Sequence, residues 1–144
     1  MMSAQSNIPQ WEDFVKADLL TSGLISGVSL ITDQGVPVYS HGDLSHLQKN
    51  DLQQFSTVFK SASQEKEDAL LLKGFTVTWR DGTQTHMKIY EKTHCSIYAT
   101  GPGNCDGLTV SNLPYGILIC TFHHPVQQGQ AIQLVECFSN KLRA

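Results

Sequence analysis

From Ala69 to Phe122 the chain breaks into short strand-forming segments separated by turn signals, and this succession restricts the fold more than any other feature. The segments are Ala69 to Leu72, Phe75 to Arg80, Thr85 to Glu91, His94 to Thr100, Leu108 to Ser111 and Gly116 to Phe122. Asp81-Gly82 is a hairpin signal, and Gly101-Pro102-Gly103-Asn104 and Leu113-Pro114-Tyr115-Gly116 are breakers. Phe75, Val77 and Trp79 alternate with Thr76, Thr78 and Arg80, the period of a sheet with one wet face. The reading is an antiparallel meander.

Upstream, Leu24 to Ile31 and Val36 to Ser40 flank Thr32-Asp33-Gln34-Gly35 and form a hairpin, with Pro37 at an edge position or a strand start. Three helical segments surround the strands. Ile8 to Ser22 carries Trp11, Phe14, Val15 and Leu19 on one face, with Pro9, Glu12 and Asp13 suited to its beginning and Gly23 to its end. Ser45 to Lys60 carries Leu47, Leu52, Phe55, Val58 and Phe59 at three- and four-residue steps. From about Gln128 to Arg143 runs the stripe Ile132, Val135, Phe138 and Leu142, and Lys141 and Arg143 complement the dipole of the last turn. Between the second helix and the meander, Ser61 to Asp68 reads as a polar link, with Glu65, Glu67 and Asp68 as solvated loop carboxylates. The order of helix, hairpin, helix, meander and helix makes an α+β architecture, and 144 residues suit one domain, 1–144.

Charge and motif exclude several functions. The net charge is -3, and the ten Lys and Arg are thinly spread, so nucleic acid is not an expected partner. No apolar run is long enough to span a bilayer. Neither G-x-x-x-x-G-K-[ST], G-x-G-x-x-G nor G-x-S-x-G occurs, so the chain reads as a binding module, not an enzyme, and no cofactor is expected. His123-His124, with His86 and His94 on nearby strands, lacks a Cys or carboxylate at ligand spacing, and no metal site is expected. Cys95, Cys105, Cys120 and Cys137 form no C-x-x-C pair, and two of them lie in apolar runs, so buried free thiols are expected. Cys95 beside His94 reads as a core thiol, because strand alternation separates the two side chains. The amino terminus carries no charged segment followed by an apolar stretch, which fits a reduced, cytoplasmic setting.

Four pieces carry a family resemblance: Trp11-Glu12-Asp13-Phe14, Asp33-Gln34-Gly35-Val36, the apolar segment Gly116 to Phe122, and Pro125-Val126-Gln127-Gln128-Gly129-Gln130 leading to Val135-Glu136-Cys137-Phe138 and Leu142. In order and spacing, over nearly the whole chain, they resemble the profilin family. The resemblance implies a central curved antiparallel sheet of six or seven strands. The N- and C-terminal helices would pack on one face and a further helix on the other. It also implies a cytoplasmic, cytoskeleton-associated protein that binds monomeric actin, regulates its polymerisation and holds proline-rich ligands between its terminal helices.

Carried onto this sequence, the actin-facing positions are Arg80, Tyr98, Thr100, Val126, Gln128, Ile132 and Glu136. The proline-rich-ligand positions are Trp11, Phe14, Tyr39, Lys141 and Leu142. Phe14 lacks a phenol hydroxyl, Pro37 stands where a hairpin Trp is expected, and Lys141 replaces a His or Tyr, so weakened or altered binding of proline-rich ligands follows. Basic residues expected near Tyr98 to Thr100 and at Ile132 or Gln133 are missing, which predicts weaker and less salt-sensitive actin binding. Phosphoinositide binding, which needs clustered Lys and Arg, is not expected. The alternative is a profilin-fold adaptor, or a small-ligand-binding module with a pocket between sheet and helix, that does not bind actin.

Overall fold

The segment Gly116–His123 is apolar at successive positions because helices cover it from both sides. Ile117 and Ile119 point into one core and Leu118, Cys120 and Phe122 into another. The computed structural model describes residues 7–60, 63–79, 81–114 and 116–143, all with side chains except 7–12 and 104. In chain order the elements are α1 (Asn7–Asp18), β1 (Gly27–Ile31), β2 (Pro37–Gly42), α2 (Lys49–Thr57), α3 (Gln64–Lys73), β3 (Phe75–Thr78), β4 (Gln84–Lys92), β5 (Ser96–Thr100), β6 (Asp106–Leu113), β7 (Gly116–His123) and α4 (Gln128–Arg143). The strands form one seven-stranded sheet in the order β2-β1-β7-β6-β5-β4-β3, and every neighbouring pair is antiparallel.

On one side of the sheet, Leu52, Phe55 and Val58 from α2 and its end pack onto Ile31, Phe75, Val77, Ile97, Val110 and Ile117. On the other, Val15 and Leu19 at the end of α1 join Ala131, Val135 and Phe138 of α4 over Val28, Leu30, Leu118 and Phe122. Gly107 permits the second packing. It pairs in register with Phe122, and a Cβ there would lie 2.2 Å from that ring. The terminal helices thus share one face and α2 takes the other, as the resemblance implies.

The helix α4 falls where the pattern places it, and the early hairpin forms with shifted bounds: β1 begins at Gly27 and not Leu24, and β2, opened by Pro37 at the sheet edge, runs on to Gly42. The first helix ends sooner than expected, at Asp18, and a single 3-10 turn (Leu20–Ser22) follows before Gly23. The second begins later, because Gln48 and Asp51 form a reciprocal capping box that fixes its start at Lys49.

The largest departure is α3. Ala69 to Leu72 is not a strand, and Glu65, Glu67 and Asp68 are not in a loop; all seven positions lie on a ten-residue helix. Ser63 caps its amino end by accepting from the Lys66 amide at 3.2 Å, and Glu65 and Glu67 occupy the favourable first turn. Gly74 ends it at φ 74°, donating to the Leu70 carbonyl in a conformation other residues rarely adopt. Glu67 also pairs with Lys92 of β4 at 2.9 Å, which holds its carboxyl below the usual range. Leu72 is 88% exposed, so the apolar run is not a buried one.

The four cysteines are free, but they are not uniformly buried. Cys120 is fully enclosed, and burial pushes its thiol up to about 12. Cys137 sits off the apolar stripe of α4 and is exposed, as is Cys105, while Cys95 is half-buried. Cys95 also precedes β5, which starts at Ser96 because the Thr93 hydroxyl accepts from the amides of Cys95 and Ser96 in a local turn.

Candidate functional site

The pairing of β4 with β5 and the entry into α4 bring three of the positions expected to face actin, Thr100, Val126 and Gln128, to one surface. Lys88 lies directly across from Thr100, and Tyr98 lies opposite Glu91. A register shift between Ile89 and Glu91 places a bulge at Tyr90, whose ring sits 6.4 Å from that of Tyr98. The turn from β7 into α4 is anchored by backbone bonds from His124 to the Cys105 carbonyl (2.7 Å) and from Val126 to the His123 carbonyl (2.9 Å). Between these elements opens a cavity of about 600 Å3 lined by Tyr90, Thr100, His124, Pro125, Val126, Gln127 and Gln128.

Thr100, Val126 and Gln128 therefore line the same groove, and Ile132, one turn further along α4, is half-buried against the core. Tyr98 and Glu136 are brought together differently. Tyr98 is only 8% exposed, and its hydroxyl donates to Glu136. Burial first, and then the hydrogen bond and charge of Glu136, raise the phenol well above its ordinary range. The second oxygen of Glu136 lies 3.8 Å from the Arg143 guanidinium, which also donates to the carbonyls of Cys95 and Asn112. Glu136 is thus turned towards its own chain, tying α4 to β5. Arg80 lies outside the described residues.

Loss of the phenol hydroxyl tests that tie. Tyr98→Phe should lower stability by about 1–2 kcal/mol, the cost of a half-buried charge-accepting bond left unmade. Urea denaturation would read it, and a change of less than about 0.3 kcal/mol, within the ordinary range for a surface substitution, would mean the bond contributes nothing.

The proline-ligand positions are less well joined. Tyr39 and Leu142 are half-buried against the core shared by the terminal helices, and Lys141 lies 3.9 Å from Asp18 at the end of α1. Phe14, expected on the apolar face, is 47% exposed. It follows Asp13 and precedes the buried Val15, and the helix directs Val15, not Phe14, into the core. The side chain of Trp11 lies outside the described residues.

Tyr90 and Lys88 were not singled out by sequence. The bulge that turns Tyr90 towards Tyr98 has no local signature, whereas Lys88 becomes a neighbour of Thr100 as soon as the β4–β5 register is known. The histidines are taken up separately: His86 lies 2.6 Å from the Lys73 carbonyl, and His123 is held between Asp43 and Asp106. Among the described residues no group of three or more His, Cys, Asp or Glu is arranged to hold a metal ion. No described helix is long and apolar enough to cross a membrane.

The profilin family model matches residues 9–144. No curated protein matches the chain by sequence. Among solved structures, profilin IA of Acanthamoeba castellanii superposes with a TM-score of 0.73 at 20% identity, covering 92% of this chain and 95% of that one. A complex of LokiProfilin1 with rabbit actin gives a profilin match with a TM-score of 0.67 at 18% identity, covering 99% and 96%. Mouse profilin IIa, in complex with a double repeat from the FH1 domain of mDia1, matches with a TM-score of 0.68 at 10% identity, covering 92% and 96%.

Proposed function

Because this chain belongs to the profilin family, we propose that it binds monomeric actin through the β4–β5 surface and the start of α4, and thereby regulates polymerisation. The observation that carries this reading is the groove in which Thr100, Val126 and Gln128 converge from two parts of the chain, with Lys88 beside Thr100. LokiProfilin1, which shares the fold, is seen bound to rabbit actin. Lys88 supplies a cation at a face otherwise poor in the basic residues that steer an acidic partner. The molecule acts by binding, not by catalysis, and its place is the cytoplasm, with the actin cytoskeleton.

Within this reading Thr100, Val126, Gln128 and Ile132 contact the partner, and Arg80 is assigned to the same set by family likeness alone. Tyr98 and Glu136 hold α4 in place. Proline-rich segments, such as the FH1 repeat carried by mouse profilin IIa, would meet Trp11, Phe14, Tyr39, Lys141 and Leu142, a floor with fewer stacking rings and correspondingly weaker grip.

Sedimentation velocity of labelled monomeric actin, titrated with this protein at low and then physiological salt, tests the proposal. A one-to-one complex is expected, weakening only modestly with salt because few charges face the partner. Absence of a complex at about 50 μM, within the affinity range of transient interfaces, would remove actin as the partner.

A further inference from the structure

His123, the last residue of β7, stands outside the groove but at the root of the turn that forms it. Its Nδ1 contacts Asp106, the first residue of β6 and its cross-strand partner, and its Nε2 contacts Asp43 on the connection from β2 to α2. A neutral imidazole has one N–H and one lone pair, so one of these contacts would set a lone pair against a carboxylate oxygen. Both contacts are attractive when the ring carries two protons. We propose that doubly protonated His123 is a positioning residue: it clamps three chain segments together and so fixes the turn that presents Val126 and Gln128.

The surroundings favour the cation. Asp81, in the turn after β3, shares with Asp43, Asp106, Trp79 and His123 an open cavity of about 380 Å3. Hydrogen bonds from the Thr83 hydroxyl and amide hold the Asp81 carboxyl below its usual range, adding a third negative charge. The Trp79 ring lies 5.7 Å from the imidazole, near enough to attract a cation, and its own N–H is taken by Thr85 at 2.6 Å. His124, next in the chain, is exposed, and Arg80 lies outside the described residues. Burial is the largest single influence on the ring and disfavours its charge. The hydrogen bonds to Asp43 and Asp106, together with their charges, outweigh it and raise His123 above the ordinary histidine value of 6.5. A raised folded value means that the clamp is complete below about 6.5 and is lost as pH climbs through the folded value. The turn is therefore fixed on the acidic side and loosened on the alkaline side.

The consequence for actin rests on the function proposed above, but the clamp itself is testable without it. NMR titration of the whole chain from about pH 5.5 to 9, a range bracketing ordinary histidine titration, would follow the His123 ring, assigned by comparison with His123→Gln, and the amides of residues 124 and 126–128. The expected result is a His123 midpoint above the ordinary value, with those amides shifting at the same midpoint. Asp43→Asn should lower that midpoint by about one unit, the usual effect of removing a neighbouring opposite charge. Asp106→Asn should act likewise and serves if the first variant fails to fold. A midpoint at or below the ordinary value, or turn amides that do not follow it, would overturn the clamp.

Actin affinity, measured across the same range, should weaken about threefold to tenfold as pH passes the midpoint, a coupling of roughly 0.7–1.4 kcal/mol. It should do so less in Asp43→Asn. If the amides move and actin binds equally at every pH, His123 does not position the groove, and the proposal fails. If the amides move and actin binds at no pH, the clamp stands and the actin reading fails.

Discussion

Replacing Val126 with Asp is expected to weaken binding of monomeric actin by more than about 100-fold while leaving the fold intact. Val126 is half-buried in the turn between β7 and α4, beside Gln128 and across the groove from Thr100. If that groove is the centre of the interface, the new carboxylate is taken out of water where an apolar side chain stood, and Lys88, across the sheet pair from Thr100, is reserved for the acidic partner. An uncompensated buried charge costs about 3–5 kcal/mol, and each 1.4 kcal/mol is a factor of ten in affinity. The turn itself should survive, because the 2.9 Å bond from residue 126 to the His123 carbonyl is made by the backbone. Sedimentation velocity gives the affinity and circular dichroism the fold. A folded variant that binds within about threefold of the parent, less than 1 kcal/mol, would place the interface elsewhere.

The largest loss of stability should come from Phe55→Ala. Phe55 is 0% exposed on α2, and its ring lies 4.9 Å from that of Phe75 on β3, so it joins the helix to the far half of the sheet. Deleting a buried Phe removes its transfer energy and leaves a cavity, together worth about 3–5 kcal/mol. In a chain of this size the melting temperature should fall by about 10–15 °C. The urea midpoint should fall with little change in slope, since the surface exposed on unfolding is nearly the same. A loss below about 1 kcal/mol would mean that α2 repacks over the gap.

Much of this arrangement is legible in the residues. Ile132, Val135 and Phe138 repeat at helical spacing up to a basic last turn, and α4 occupies Gln128–Arg143 as that pattern predicts. Asp81-Gly82 marks a real turn, in which the Gly82 amide donates to the Trp79 carbonyl at 2.9 Å. Four consecutive apolar residues, Ala69 to Leu72, satisfy neither a helical nor a strand period clearly, and their helix is decided by its caps, Ser63 and Gly74. The set expected to face actin rests on family likeness and not on spacing, so its geometry required the fold. Tyr90 reaches the groove through a bulge, Glu136 turns inward to Tyr98, and His123 meets partners 17 and 80 residues away. No local pattern encodes contacts of that kind.

The strand order has a consequence for how the chain matures. β1 sits between β2, its immediate successor, and β7, near the end of the chain; the contact of Ser26 with Thr121 spans 95 residues. During synthesis the first hairpin therefore emerges with one edge of an all-buried strand unpaired, and it waits until β7, Gly116–His123, has been made. Contacts so distant in sequence are slow to form, and exposed apolar edges invite pairing with other molecules. The joining of β1 to β7 is accordingly the step at which a nascent or truncated chain is most exposed to misassembly, and the step from which a chaperone would have most to protect it.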